Sequence, residues 1–168
     1  MPLYQRPVSP FFLRADSLAL ATSGTGPAFP GQVILNGIEL IAPVTVTQMR
    51  TVFSGAPTGT CQMGIYDSSA AGQLPGSLMG NTATFTAVNG VMTRNLLSNL
   101  PLGPGKYWLA FLDTVADTVF GVGGGPTGFY ATVLTTTTGL TTLPGTAGAV
   151  TDNNVATAFC ALVLGGWS

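Results

Sequence analysis

Apolar and polar residues alternate along short stretches of this chain, and no window repeats at helix spacing. From Thr60 to Asp67, Cys61, Met63 and Ile65 fall on one side, while Gln62 and Tyr66 fall on the other. A period of two predicts a strand with one buried face. Lys106 to Asp113 differs, because Tyr107, Leu109 and Phe111 point one way and Trp108, Ala110 and Leu112 the other. A strand that is apolar on both sides belongs at the centre of a sheet covered on both faces. Further strands are expected over Gln32 to Ile41 (one or two, around Asn36-Gly37), Val44 to Phe53 and Leu78 to Ala87. Val91 to Leu97 reads as the return strand of a hairpin turning at Asn89-Gly90. Asp117 to Val122, part of Phe129 to Thr151 and the buried closing strand Val155 to Leu164 complete the set. About eight or nine strands separated by Gly, Pro, Asn and Ser turns predict an all-β antiparallel sandwich or jelly roll. No internal repeat is visible.

The pattern stops short of the N-terminus. Residues 1–31 carry Pro2, Pro7, Pro10, Pro27 and Pro30, which argue against regular pairing there. Phe11, Phe12 and Leu13 give the segment something to bury, so it reads as an extended arm rather than a solvated tail, with residues 32–168 as the sandwich domain. Arg6 and Arg14 flank the apolar anchors and suit pairing with carboxylates on a partner.

Composition sharpens this picture. Only five Lys and Arg and six Asp and Glu occur in 168 residues, and there is no His. Soluble domains spend about a quarter of their residues on charge. A surface made instead of Thr, Ser, Asn, Gly and apolar atoms suits burial against other proteins. A net charge of −1 without a basic patch disfavours nucleic acid and anionic membrane as partners. The most apolar run, Val155 to Leu164, is far shorter than the roughly 20 residues of a spanning helix. The proline-broken N-terminus lacks the apolar core of a signal peptide, so synthesis in the cytoplasm is expected.

Candidate chemistry is sparse. Without His, no Ser/His/Asp or Cys/His arrangement can form within the chain, and no catalytic residues are assigned. Asp113 and Asp117 lie close in sequence but read as turn residues between strands. Cys61 and Cys160 read as small buried residues, with a cross-strand disulfide as the alternative. Two cysteines cannot fill a zinc site. Asp152-Asn153-Asn154 has oxygen ligands without the spacing of a calcium loop, and Gly121 to Gly128 lacks the Lys and helix start of a phosphate cradle. No metal and no cofactor are expected. Tyr66, Tyr130 and Trp167 are the aromatic residues able to form a sugar-stacking platform, against the simpler reading as core or interface.

Two local patterns carry family content. Gly64-Ile65-Tyr66-Asp67 is followed, after a polar loop, by Leu74-Pro75-Gly76-Ser77-Leu78, and Leu102-Gly103-Pro104-Gly105-Lys106 leads into Tyr107-Trp108-Leu109-Ala110. This combination resembles β-sandwich modules of tailed-bacteriophage virion proteins over roughly Ile41 to Phe120. With the arm added, the chain resembles the jelly-roll capsid decoration (cement) proteins of tailed phages. The resemblance implies a structural protein on the capsid exterior, a homotrimer that clamps neighbouring subunits of the major capsid protein. The motif residues would be framework, and binding would fall to the arm. The other reading is a tail-fibre or lectin-like module that recognises host surface glycans.

Overall fold

The computed structural model describes residues 25–27, 29–69, 74–122, 132–152, 157–158 and 161–164. Among these residues there are thirteen strands and no helix. In chain order they are β1 (Thr25–Pro27), β2 (Val33–Leu40), β3 (Val44–Ser54), β4 (Thr60–Ser68), β5 (Pro75–Asn81), β6 (Phe85–Thr86) and β7 (Gly90–Leu102). There follow β8 (Gly105–Asp113), β9 (Thr118–Val122), β10 (Thr132–Thr135), β11 (Val150–Asp152), β12 (Thr157–Ala158) and β13 (Ala161–Leu164). Nine of them have four or more residues, in line with the number expected from the alternation.

The strands form two antiparallel sheets, packed as a sandwich. One contains β1, β9, β3, β7, β12 and β13; the other runs β11-β10-β2-β8-β4-β5, with β6 also paired to β4. The pairings are nested: β1 pairs with β9, β2 with β8, β3 with β7 and β4 with β5. Successive pairs alternate between the sheets, giving the four-strand orders β1-β9-β3-β7 and β2-β8-β4-β5. A long antiparallel ribbon wrapped in this way is a jelly roll.

The core between the sheets is built from the inward rows of both. Met49 and Phe53 of β3 meet Ile38, Met63, Ile65 and Phe111 from the opposite sheet. The Phe53 and Phe111 rings lie 5.9 Å apart, tilted by 57°, within the range of a favourable aromatic pair. On β8 the two apolar rows go where the sequence sends them. Leu109 and Phe111 enter this core, while Trp108, Ala110 and Leu112 enter a second one on the outer side of the same sheet.

That second core is closed by residues 136–149, the Thr- and Gly-rich stretch between β10 and β11. Leu143 and Ala147 are buried against Val33, Leu35, Tyr66 and Trp108, with Leu140 packed alongside, while the Thr side chains at 136–138, 141, 142 and 146 are exposed. Backbone bonds from Leu140 N–H to Gly31 O (2.9 Å), Leu78 N–H to Gly145 O (2.9 Å) and Ala147 N–H to Gly76 O (3.0 Å) pin the strap down. Left-handed glycines at 139 (φ 72°) and 148 (φ 72°) let it turn at both ends. Each Leu so buried is worth roughly 1.5–3 kcal/mol relative to exposure.

Several expectations need correction. Of the one or two strands expected over Gln32 to Ile41 there is one: β2 is continuous, with Asn36 opposite Leu109 and Gly37 opposite Trp108 in the middle of the ladder. Asn89-Gly90 does turn, with Gly90 at φ 97°, but it is not a hairpin. It carries the chain from β6, paired to β4, across to β7, paired to β3 in the other sheet. The expected Leu78 to Ala87 strand begins earlier, at Pro75, and is split into β5 and β6, and β7 runs on to Leu102. Val155 to Leu164 is not one strand, since β12 pairs β9 and β13 pairs β3. Thr25–Pro27 is paired despite its proline, against Thr118–Phe120, so the sandwich begins by Thr25 rather than at Gln32. Pro27 sits at the end of this short strand, a place where the missing N–H is tolerated.

Candidate interaction surfaces

The two sheets differ in what covers them. The outer side of β2, β8 and β4 is roofed by the strap, whereas on β3 and β7 the outward side chains remain half-buried or exposed. There Gln48 stands opposite Asn95, Arg50 opposite Thr93 and Val52 opposite Val91. Gln48 Nε2 donates to Asn95 Oδ1 (2.7 Å) and Arg50 Nε to Thr93 Oγ1 (3.1 Å). The result is a face that carries one exposed charge and two cross-strand side-chain hydrogen bonds. Val91 and Leu97, both more than half exposed, extend its apolar content along β7.

β7 has β3 as its only ladder partner among the described residues, apart from a single bridge between Leu96 and Thr82. An open strand edge invites pairing with other chains. Arg94 turns inward from this strand and lies 4.9 Å above the Phe85 ring, and inward-pointing charge is one way that natural edges are protected. The neighbouring face is therefore a better contact surface than the edge.

Seven charged side chains fall among the described side chains, and only Glu39 and Arg50 are exposed. Two of the others, Asp113 and Asp117, are buried at the turn between β8 and β9. Asp117 accepts N–H bonds from Thr58 (2.9 Å) and Gly59 (2.7 Å), joining that turn to the loop between β3 and β4. Asp113 Oδ1 accepts from Val115 N–H (3.1 Å), while its Oδ2 is buried without a partner. The Cys61 thiol lies against Asp113, and burial followed by the two aspartates pushes its pKa far above the ordinary thiol range. A thiol held protonated is a poor nucleophile and a poor ligand. Cys61 is free and buried, as one of the two readings held; Cys160 lies outside the described residues.

The motif segments act as framework. The Asp67 carboxylate accepts the Ser77 N–H (2.5 Å), closing the Pro75-Gly76-Ser77 return onto the end of β4. A Cβ on residue 76 would overlap Asp67 Oδ1, so any larger residue there would push the carboxylate off this bond. Tyr107 Oη donates to Gly103 O (3.1 Å) and braces the turn that carries the chain from β7 in one sheet to β8 in the other.

Tyr66 is not available for sugar stacking. It is fully buried under the strap, its hydroxyl donating to Pro144 O (2.6 Å). Burial also raises its pKa well above the ordinary phenol range. Of the two readings the core one holds, because the Gln62 and Tyr66 side of β4 belongs to the second core. Gln62 shares it: Nε2 donates to Thr82 O (2.9 Å) and Oε1 accepts from Leu143 N–H (2.7 Å), tying strap to sheet. Tyr130 and Trp167 lie outside the described residues, as do the arm residues Arg6, Phe11, Phe12, Leu13 and Arg14. Among the described residues no three His, Cys, Asp or Glu side chains are grouped to hold a metal. No protein-family model, curated protein or solved structure matches the chain.

Proposed function

We propose that this chain is a structural virion protein, a jelly-roll sandwich that trimerises on the outside of a phage capsid and clamps neighbouring subunits of the major capsid protein. The observation that carries this reading is the scarcity of exposed charge. Two exposed charged side chains among seven described leave a surface of Thr, Gly, Asn and apolar atoms, and interface cores are depleted of charge in the same way. The half-open β3–β7 face, with little exposed charge, suits close contact. Obligate interfaces bury about 2,000 Å² or more in total, more than two strands present, so the N-terminal arm would have to add to it. In this reading the framework holds that face rigid, and the N-terminal segment, with Phe11, Phe12 and Leu13 as anchors, reaches the neighbouring capsid subunit.

Two measurements test it. Light scattering on the purified full chain is expected to give a trimer. Sedimentation with empty heads that lack the protein is expected to show saturable binding in a fixed ratio to the major capsid protein, lost when residues 1–20 are deleted. A monomer that never co-sediments with heads overturns the reading. Glycan binding by such a monomer would move the function to host recognition.

A further inference from the structure

The buried pair at the β8–β9 turn does more than shape a loop. Both carboxyl groups crowd the same glycine, since a Cβ on Gly59 would overlap Asp113 Oδ1 and crowd Asp117 Oδ2. Asp117 is served by the N–H groups of Thr58 and Gly59. Asp113 has the N–H groups of Val115 and Thr114 and the Cys61 thiol beside it, yet its Oδ2 is buried without a hydrogen-bond partner. Among the described residues, no Lys or Arg figures among the groups that shift it, and the titratable ones are Asp117 and Cys61. Two carboxylates at such a site cannot both stay charged without cost, and the one with a buried oxygen left without a partner is where a proton settles. The same residue anchors the entry of the N-terminal segment, because Gly31 N–H donates to Asp113 O (2.7 Å).

We propose that the Asp113–Asp117 corner is a proton-operated clasp: uptake of one proton by the pair tightens the junction of the β3–β4 loop, the β8–β9 turn and the base of the N-terminal segment at Gly31. In the charged state Asp113 faces Asp117 across Gly59 with its Oδ2 unpaired. In the protonated state that repulsion is gone and the buried oxygen no longer carries charge. Burial is the main cause that raises the Asp113 carboxyl, to about 6 from an ordinary 3.8, with Asp117 adding to it and the N–H bonds opposing it. The sign follows directly. A raised folded value means that the closed corner binds a proton between about 6 and 3.8 that the opened corner does not. Closure therefore strengthens as pH falls through about 6 and gains nothing further below about 3.8.

The full chain tests this in two ways. Carboxyl-carbon NMR is expected to place the Asp113 midpoint near 6. Amide exchange, corrected for the intrinsic effect of pH, is expected to show protection of Thr58, Gly59 and Gly31 rising about ten-fold between pH 7 and pH 5. Asp113→Asn, which mimics the protonated acid in shape, is expected to hold high protection at both pH values. An Asp113 midpoint below about 4.5, a flat protection profile in the unaltered chain, or a rise that persists in Asp113→Asn overturns the proposal. Should the variant fail to fold, the midpoint and the protection profile of the unaltered chain decide it alone.

Discussion

Replacing Tyr66 separates a buried strap anchor from a surface aromatic. The ring is fully buried between Trp108 and the strap, and its hydroxyl reaches Pro144 O at 2.6 Å. Tyr66→Phe keeps the ring and removes one hydrogen bond, which is worth about 1 kcal/mol net. Tyr66→Ala also removes the ring and leaves a cavity beneath residues 143 and 144, at a cost of about 3–5 kcal/mol for a large aromatic. For a chain of this size, 4 kcal/mol corresponds to a fall in Tm of about 8–16 °C. Urea unfolding followed by tryptophan fluorescence measures both variants, with the midpoint falling and the slope unchanged. A surface position would change stability by no more than about 0.5 kcal/mol. Tyr66→Ala within that limit would refute the placement of the strap over β4 and β8.

Other outcomes follow from neighbouring contacts. Gln62→Leu strips the strap of its side-chain tie and leaves the Leu143 N–H buried and unpaired, so a loss of about 1–3 kcal/mol is expected, with amide exchange at Leu143 rising ahead of the core. Gly59→Ala drives a methyl group into both carboxylates of the corner and is expected to cost about 1–3 kcal/mol, whereas Gly103→Ala, with open space around it, leaves the thermal midpoint unchanged. In a Cys160→Ser background, Cys61 is expected to stay unreactive toward a thiol reagent until the protein unfolds, because burial keeps the thiol protonated. Val91→Lys, on the half-open face, is expected to leave chemical stability within about 0.5 kcal/mol while weakening self-association measured by light scattering.

Much of the sandwich was legible because side chains alternate along most of each long strand. The two apolar rows of β8 announced a sheet covered on both sides, and β3 and β4 were found within a residue or so of their ends. Turn chemistry was legible as turning but not as connection. The Asn89-Gly90 signal records a left-handed backbone, and nothing local to it says that the next strand joins the opposite sheet. Asn36-Gly37, the same dipeptide, left one strand or two open, and it is strand because tertiary pairing with Leu109 and Trp108 overrides a weak local preference. The strap was hidden by composition, its Thr and Gly masking the inward-facing Leu143 and Ala147. With the strap unseen, Tyr66 stayed open between a surface platform and the core, where it lies. The corner acids were read as turn residues; Asp117 lies in the turn while Asp113 ends β8, and only the folded structure shows that one buried oxygen of Asp113 is left without a partner.

The nesting of the strand pairs also sets an order of events. β4 and β5 are separated by a short loop, whereas β1 must find β9 across more than half of the chain. Chain-closure entropy grows with that separation, so the ribbon is expected to zip from β4·β5 outward and to finish at β1·β9, slowly for a domain of this size. The N-terminal segment then becomes anchored only after everything else has formed. On the proposed capsid role, that delay would keep Phe11, Phe12 and Leu13 from engaging a capsid subunit before the sandwich that carries them has formed.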